Sequence, residues 1–176
     1  MVDVYIGIGS NVGPEENLRD AVSTLRSEFP GIVLSSVYRS PAFGFEGDHF
    51  LNLVGRFESD VDACEIEHTL GSIEYGGGRT PSGVRFAPRS LDIDLLMYGQ
   101  RIDPARRIPR DDVTRYPFVL GPLAEIAPGL EHPITGETMR ALWQRMAPSV
   151  DIEKLGGVEL LDATASPADA APAVDG

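Results

Sequence analysis

Residues 91–98 read Leu-Asp-Ile-Asp-Leu-Leu-Met-Tyr, and their alternation admits few folds. Leu91, Ile93 and Leu95 fall on one side of an extended chain, Asp92 and Asp94 on the other. A period of two is the signature of a half-buried strand with one face in a core. Such a strand places Asp92 and Asp94 roughly 7 Å apart at Cα, two residues at about 3.3 Å rise. Carboxylates that close repel each other unless cations lie between them. Two metal ions about 4 Å apart suit such a pair, an arrangement that clamps phosphates. Upstream stand Gly76-Gly77-Gly78, Arg79, Arg85 and Arg89. Arginine forks match phosphate oxygens, and glycines let the loop that carries them move. The competing reading is a solvated strand face beside a basic loop.

Charge supports the anion-binding reading. The chain carries a net −12, yet eight of its 15 basic residues are arginines between positions 79 and 115. An acidic protein with one arginine-rich third suits a small anionic ligand and argues against general nucleic-acid binding. The 176 residues suit one domain with a real core. The single cysteine, Cys64, excludes an internal disulfide and suits a reducing cytoplasm. With His49, His68 and His132 scattered, zinc is disfavoured. No apolar run approaches the roughly 18 residues of a membrane span, and the N-terminus has no basic-flanked leader. The expectation is a cytoplasmic monomer without membrane or nucleic-acid partners.

Along the chain, residues 4–8 predict a buried strand. Pro14, Glu15 and Glu16 then open a helix with Leu18, Ala21, Val22 and Leu25 as its apolar stripe. Gly7, Gly9 and Gly13 miss the dinucleotide-binding spacing by one residue. Residues 32–38 and 50–57 predict two further strands. In the latter Phe50, Asn52 and Val54 share a face. Asparagine is disfavoured in strands, so Asn52 marks either an edge or a ligand contact. Asp60 or Asp62 caps a second helix whose stripe is Ile66, Leu70 and Ile73. The loop over 75–90 is long enough to be functional. After the Asp-x-Asp strand come a short return at 101–102, a proline-punctuated loop region, a short helix over 122–127, and another capped by Thr138. The domain is expected to end at 155, with 156–176 a disordered tail of Ala, Pro, Asp and Gly. Strand, helix, strand, strand, helix, strand is the plan of an α+β ferredoxin-like domain: an antiparallel sheet with helices on one face, here with long active-site loops.

The most specific string is Arg85-x-x-Pro88-Arg89-Ser90-Leu91-Asp92-Ile93-Asp94-Leu95. With Ile8-Gly9-Ser10-Asn11, Tyr38-Arg39-Ser40-Pro41, Phe50-Leu51-Asn52 and Pro122-Leu123-Ala124-Glu125-Ile126-Ala127-Pro128, it resembles the 6-hydroxymethyl-7,8-dihydropterin pyrophosphokinase family over about residues 4 to 155. The resemblance implies pyrophosphate transfer from ATP to the hydroxymethyl group of a reduced pterin, with release of AMP, in folate biosynthesis. It implies that Asp92 and Asp94 hold two magnesium ions. Arg79, Arg85 and Arg89 would meet the triphosphate, Arg79 and Arg89 with catalytic roles. Glu74, Arg110 and Arg115 would serve the nucleotide. Ser40, Pro41, Phe43, Phe50, Asn52 and Phe118 would surround the pterin. The chemistry agrees: a flat heterocycle wants aromatic faces, and its donor–acceptor edge wants a buried amide.

The chain also departs from the family pattern. Phe86-Ala87 replaces Trp-Gly, Pro81 replaces a loop arginine, Arg110 replaces a histidine, and Tyr116 replaces an arginine with Arg115 beside it. These changes fall on the nucleotide side of the expected site. A divergent paralogue with another pterin-like acceptor, or a non-catalytic binding protein, therefore stays open at this level.

Overall fold

Strand β1 (Val2–Ser10) is an interior strand of the sheet, next to one edge. It pairs antiparallel with β4 (Phe50–Ser59) on one side and β5 (Asp92–Tyr98) on the other. These relations come from a computed structural model that describes residues 1–42, 46–76 and 91–163. Two short strands, β2 (Val33–Leu34) and β3 (Val37–Ser40), also pair with β4, and β6 (Glu153–Gly156) closes the far edge beside β3. The order β5-β1-β4-β3, extended by β6, is the ferredoxin-like arrangement that the sequence plan requires.

Alternation along β1 sends Val4, Ile6 and Ile8 to one face and Tyr5 to the other. Helix α1 (Pro14–Glu28) covers the first face with Leu18, Ala21, Val22 and Leu25. Pro14 and the acids of its first turn suit the positive helix end, and Gly13 takes the left-handed φ of 52° that precedes it. Helix α2 (Ala63–Gly76) joins it through Ala63, Ile66 and Leu70. Its start is held by Asp62, whose Oδ1 accepts from the Cys64 N–H at 2.9 Å.

The helices do not keep to one face, as the sequence plan had it. After the four-residue helix α3 (Asp112–Arg115), α4 (Pro117–Ile126) and α5 (Met139–Met146) lie on the opposite face. There Val119, Leu120, Leu123, Met139 and Leu142 pack with Tyr5, Val54, Leu96 and Met97. Both faces of the sheet are apolar enough to need cover, which is why a second helical layer forms. Thr138 caps α5 as expected, its Oγ1 accepting from the Ala141 N–H at 3.2 Å.

Local boundaries differ in four places. The strand expected over 32–38 is broken at Ser35 and Ser36. Ser35 keeps its ladder bond by donating its N–H to Val54 O, while its Oγ accepts the Val54 N–H, each at 2.9 Å. The helix expected from Pro122 begins five residues earlier, because Pro117 takes the first-turn role and Pro122 is accommodated inside. Residues 101–102 form no strand; Arg101 instead pairs with Asp103 at 2.7 Å. The tail expected from 156 is folded through its first part. Val158 and Leu161 are buried in the core, and the short helix α6 (Leu160–Ala163) packs against α1. Val158, Leu161 and the partly buried Leu160 together dock a segment whose overall composition reads as disordered.

Candidate active site

The register across β1 brings the polar residues together. Gly9 is paired with Asn52 on one side and with Asp92 on the other, and Tyr38 extends the row beyond Asn52. One step along, Gly7 lies between Val54 and Asp94. Directly opposed residues of an antiparallel sheet point to the same face. Asn52, Asp92 and Asp94 therefore share the face that α4 covers in part, with two glycines between them. Two strand spacings of about 4.8 Å put the Asn52 and Asp92 Cα atoms roughly 10 Å apart.

Asn52 belongs to a central strand, so the edge reading of this asparagine does not hold. Only 6% of it is exposed, and its Nδ2 donates to Ser40 Oγ at 2.9 Å. Ser40 is buried as well, while Pro41 is exposed beside it. Phe50 opens β4, half-buried. On α4, Phe118 stacks on Tyr116, with ring centroids 5.1 Å apart and planes 12° from parallel. The tyrosine at the position of the family pattern's arginine thus stacks on Phe118, one of the expected pterin residues.

On β5, Asp92 and Asp94 are both half-buried. Arg110 reaches the second of them because its own N–H donates to Leu96 O at 2.9 Å, docking the 103–110 loop on the strand. Its Nη1 then lies 3.1 Å from Asp94 Oδ1 and its Nε 3.1 Å from Asp112 Oδ2. Burial, followed by the negative charge of Asp92, pushes the Asp94 carboxyl up to about 7 in spite of Arg110. Among the described residues, Asp92, Asp94 and Asp112 carry more negative charge than the Arg110 guanidinium offsets, on hard oxygen donors. That donor set fits magnesium, which takes carboxylates at octahedral oxygen sites.

Glu74, at the end of α2, is buried. Its Oε1 accepts the Ile93 N–H at 2.7 Å, so it braces the backbone between the two aspartates. Arg115 is exposed at the end of α3. Arg79, Arg85, Arg89 and Phe43 lie outside the described residues, as does the loop expected over 75–90 beyond Gly76. Sequence reasoning missed two contributors. Asp112 was legible only as part of an Arg-Asp-Asp string, with nothing to show that it shares Arg110 with Asp94. Glu125 gathers the Ser36 N–H and Oγ on Oε1, and the Tyr38 hydroxyl and Lys154 on Oε2. These residues are far apart in sequence, so no local signal announces the cluster.

Fold and site define a ferredoxin-like α+β domain with paired carboxylates and a buried amide on one sheet face. The model of the 7,8-dihydro-6-hydroxymethylpterin-pyrophosphokinase (HPPK) family matches residues 5–128. The chain belongs to that family. It is 37% identical over 147 residues to the 2-amino-4-hydroxy-6-hydroxymethyldihydropteridine pyrophosphokinase of Synechocystis sp., spanning 80% of this chain and 74% of that protein. It is 35% identical over 155 residues to the protein of the same name from Methylorubrum extorquens, spanning 85% of this chain and 96% of that one. Among solved structures, Plasmodium falciparum HPPK-DHPS superposes with a TM-score of 0.65 at 12% identity, a likeness of fold. That match covers 84% of this chain and 44% of the Plasmodium chain, so this chain spans less than half of its length.

Proposed function

We propose that this protein transfers pyrophosphate from ATP to the hydroxymethyl group of 6-hydroxymethyl-7,8-dihydropterin, giving the pterin diphosphate and AMP. The observation that carries the reading is the row Asn52–Gly9–Asp92, which sets an amide and a carboxylate pair on one sheet face in a chain of this family. Asn52 and Ser40 would read the donor–acceptor edge of the pterin, and Phe50 and Phe118 would offer ring faces. Asp92 and Asp94 would hold two magnesium ions, which supply charge neutralisation for the triphosphate when bound. Glu74 holds the strand between them through the Ile93 N–H. Arg79, Arg85 and Arg89 would neutralise phosphate oxygens, Arg79 and Arg89 in catalytic roles. Arg110 and Arg115 would add nucleotide contacts.

Among the described residues no helix is long and apolar enough to cross a membrane. We read the protein as a cytoplasmic monomer whose partners are small molecules. The test is AMP release from ATP and magnesium, with and without the hydroxymethyl-dihydropterin. Pterin-dependent AMP formation, abolished in Asp92→Asn and Asp94→Asn, is the expected result. ATP left intact in the presence of pterin overturns the reading. A paralogue with altered nucleotide contacts has one observation in its favour: Tyr116 stacks on Phe118 where the family pattern has an arginine. Turnover with another nucleoside triphosphate in place of ATP identifies that case.

A further inference from the structure

We infer that Gly9 is a positioning residue for the pterin: its missing side chain lets the Asn52 amide lie across β1 in the orientation that reads the ring. This inference rests on the function proposed above. Gly9 has no left-handed φ, so its backbone conformation does not call for glycine. Space does. A Cβ built on Gly9 would lie 2.9 Å from Asn52 Oδ1, closer than such atoms approach. The amide is pinned at its other end, where Nδ2 donates to Ser40 Oγ at 2.9 Å. With 6% of Asn52 exposed, there is little room to rotate. A methyl group at position 9 would therefore turn the amide away from Ser40.

A primary amide has two N–H donors and an acceptor oxygen. Ser40 fixes one donor, and Gly9 fixes where the oxygen lies. Together they set the direction of the second N–H, the group available to a heterocycle edge. Gly7 provides the contrast. Its Cβ would meet Leu96 methyls at 3.4 Å, an ordinary contact, so an alanine fits at that position of the same strand.

The test is a double-mutant cycle on pterin binding, read by fluorescence titration of 6-hydroxymethylpterin, with ATP-analogue binding measured in parallel. Gly9→Ala and Asn52→Ala should each weaken pterin binding by roughly tenfold or more, the low end for a mispaired buried polar group. The double variant should bind no worse than Asn52→Ala alone, because Gly9 acts through that amide. ATP-analogue affinity should stay within about twofold in every variant, as it would for sites that do not couple. Gly7→Ala should bind pterin like wild type. Wild-type pterin affinity in Gly9→Ala, or additive losses in the double variant, overturns the inference. So does a Gly9→Ala protein that fails to fold while Gly7→Ala folds, since that assigns Gly9 to packing. Failure of the wild type to bind pterin overturns the proposed function itself, and this inference with it.

Discussion

The Arg110 guanidinium is shared between Asp94 and Asp112, with Nη1 3.1 Å from Asp94 Oδ1 and Nε 3.1 Å from Asp112 Oδ2. Asp94 is also half of the carboxylate pair proposed to hold metal. The guanidinium and a divalent cation therefore compete for one oxygen. Asp112 gives Arg110 a second partner when the first is taken. Arg110→Ala should tighten Mn2+ binding by the nucleotide-free protein by about tenfold, the scale of one charge-assisted hydrogen bond. Electron paramagnetic resonance titration measures this directly. An unchanged Mn2+ affinity would show that Arg110 leaves Asp94 without cost.

The same pair sets a pH dependence. The folded Asp94 carboxyl is raised to about 7, by burial first and by Asp92 second. Its unfolded value is about 3.9. A carboxyl raised on folding contributes stability that is fully present below the unfolded value and is lost as pH rises through the folded one. In chelator, wild-type thermal midpoints should therefore fall relative to Asp94→Asn between about pH 4 and 7. Parallel midpoint curves for the two proteins would refute the account.

Arg110 also bears on the nucleotide. Histidine titrates near neutrality, whereas arginine stays charged at every working pH. If Arg110 contacts phosphate, wild-type ATP affinity should be flat between roughly pH 6 and 8, and Arg110→His should bind more weakly toward the alkaline end. Arg110→Ala binding ATP as tightly as wild type would remove Arg110 from the nucleotide site.

Glu125 ties α4 to two strands. Burial alone would raise its carboxyl, but Tyr38, Ser36 and Lys154 outweigh that and hold it below its ordinary value. Glu125→Ala leaves the Tyr38 hydroxyl without this acceptor and should cost about 1–3 kcal/mol in urea unfolding. A carboxyl lowered on folding contributes stability above its unfolded value and loses it as pH falls. The advantage of wild type over Glu125→Gln should therefore fade below about pH 4.5. A constant difference down to pH 3 would show that charge at this position is immaterial.

Leu161 tests the segment beyond β6. It is fully buried beside α1, in a stretch whose composition reads as disordered. Leu161→Ala should destabilise the protein by about 2–5 kcal/mol, as core leucine truncations do. A change under about 0.5 kcal/mol, typical of surface sites, would mean that the segment contributes nothing.

What the sequence determined by itself is whatever is periodic or contiguous. Two-residue alternation defined β5 and put Asp92 and Asp94 on one face; apolar stripes defined α1 and α2; Pro, Asp and Thr marked helix starts. The signature around Asp92 was enough to indicate the family. Tertiary structure decided what depends on register and packing. Only strand pairing sets Asn52, Gly9 and Asp92 in one row, because a shift of one residue would turn every side chain to the other face. Only the docking of the 103–110 loop on β5 brings Arg110 to Asp94. Only packing of α4 on the second face gathers Ser36, Tyr38 and Lys154 around Glu125. Those contacts join residues far apart in the chain, and their energies exist only once the chain has closed the loops between them.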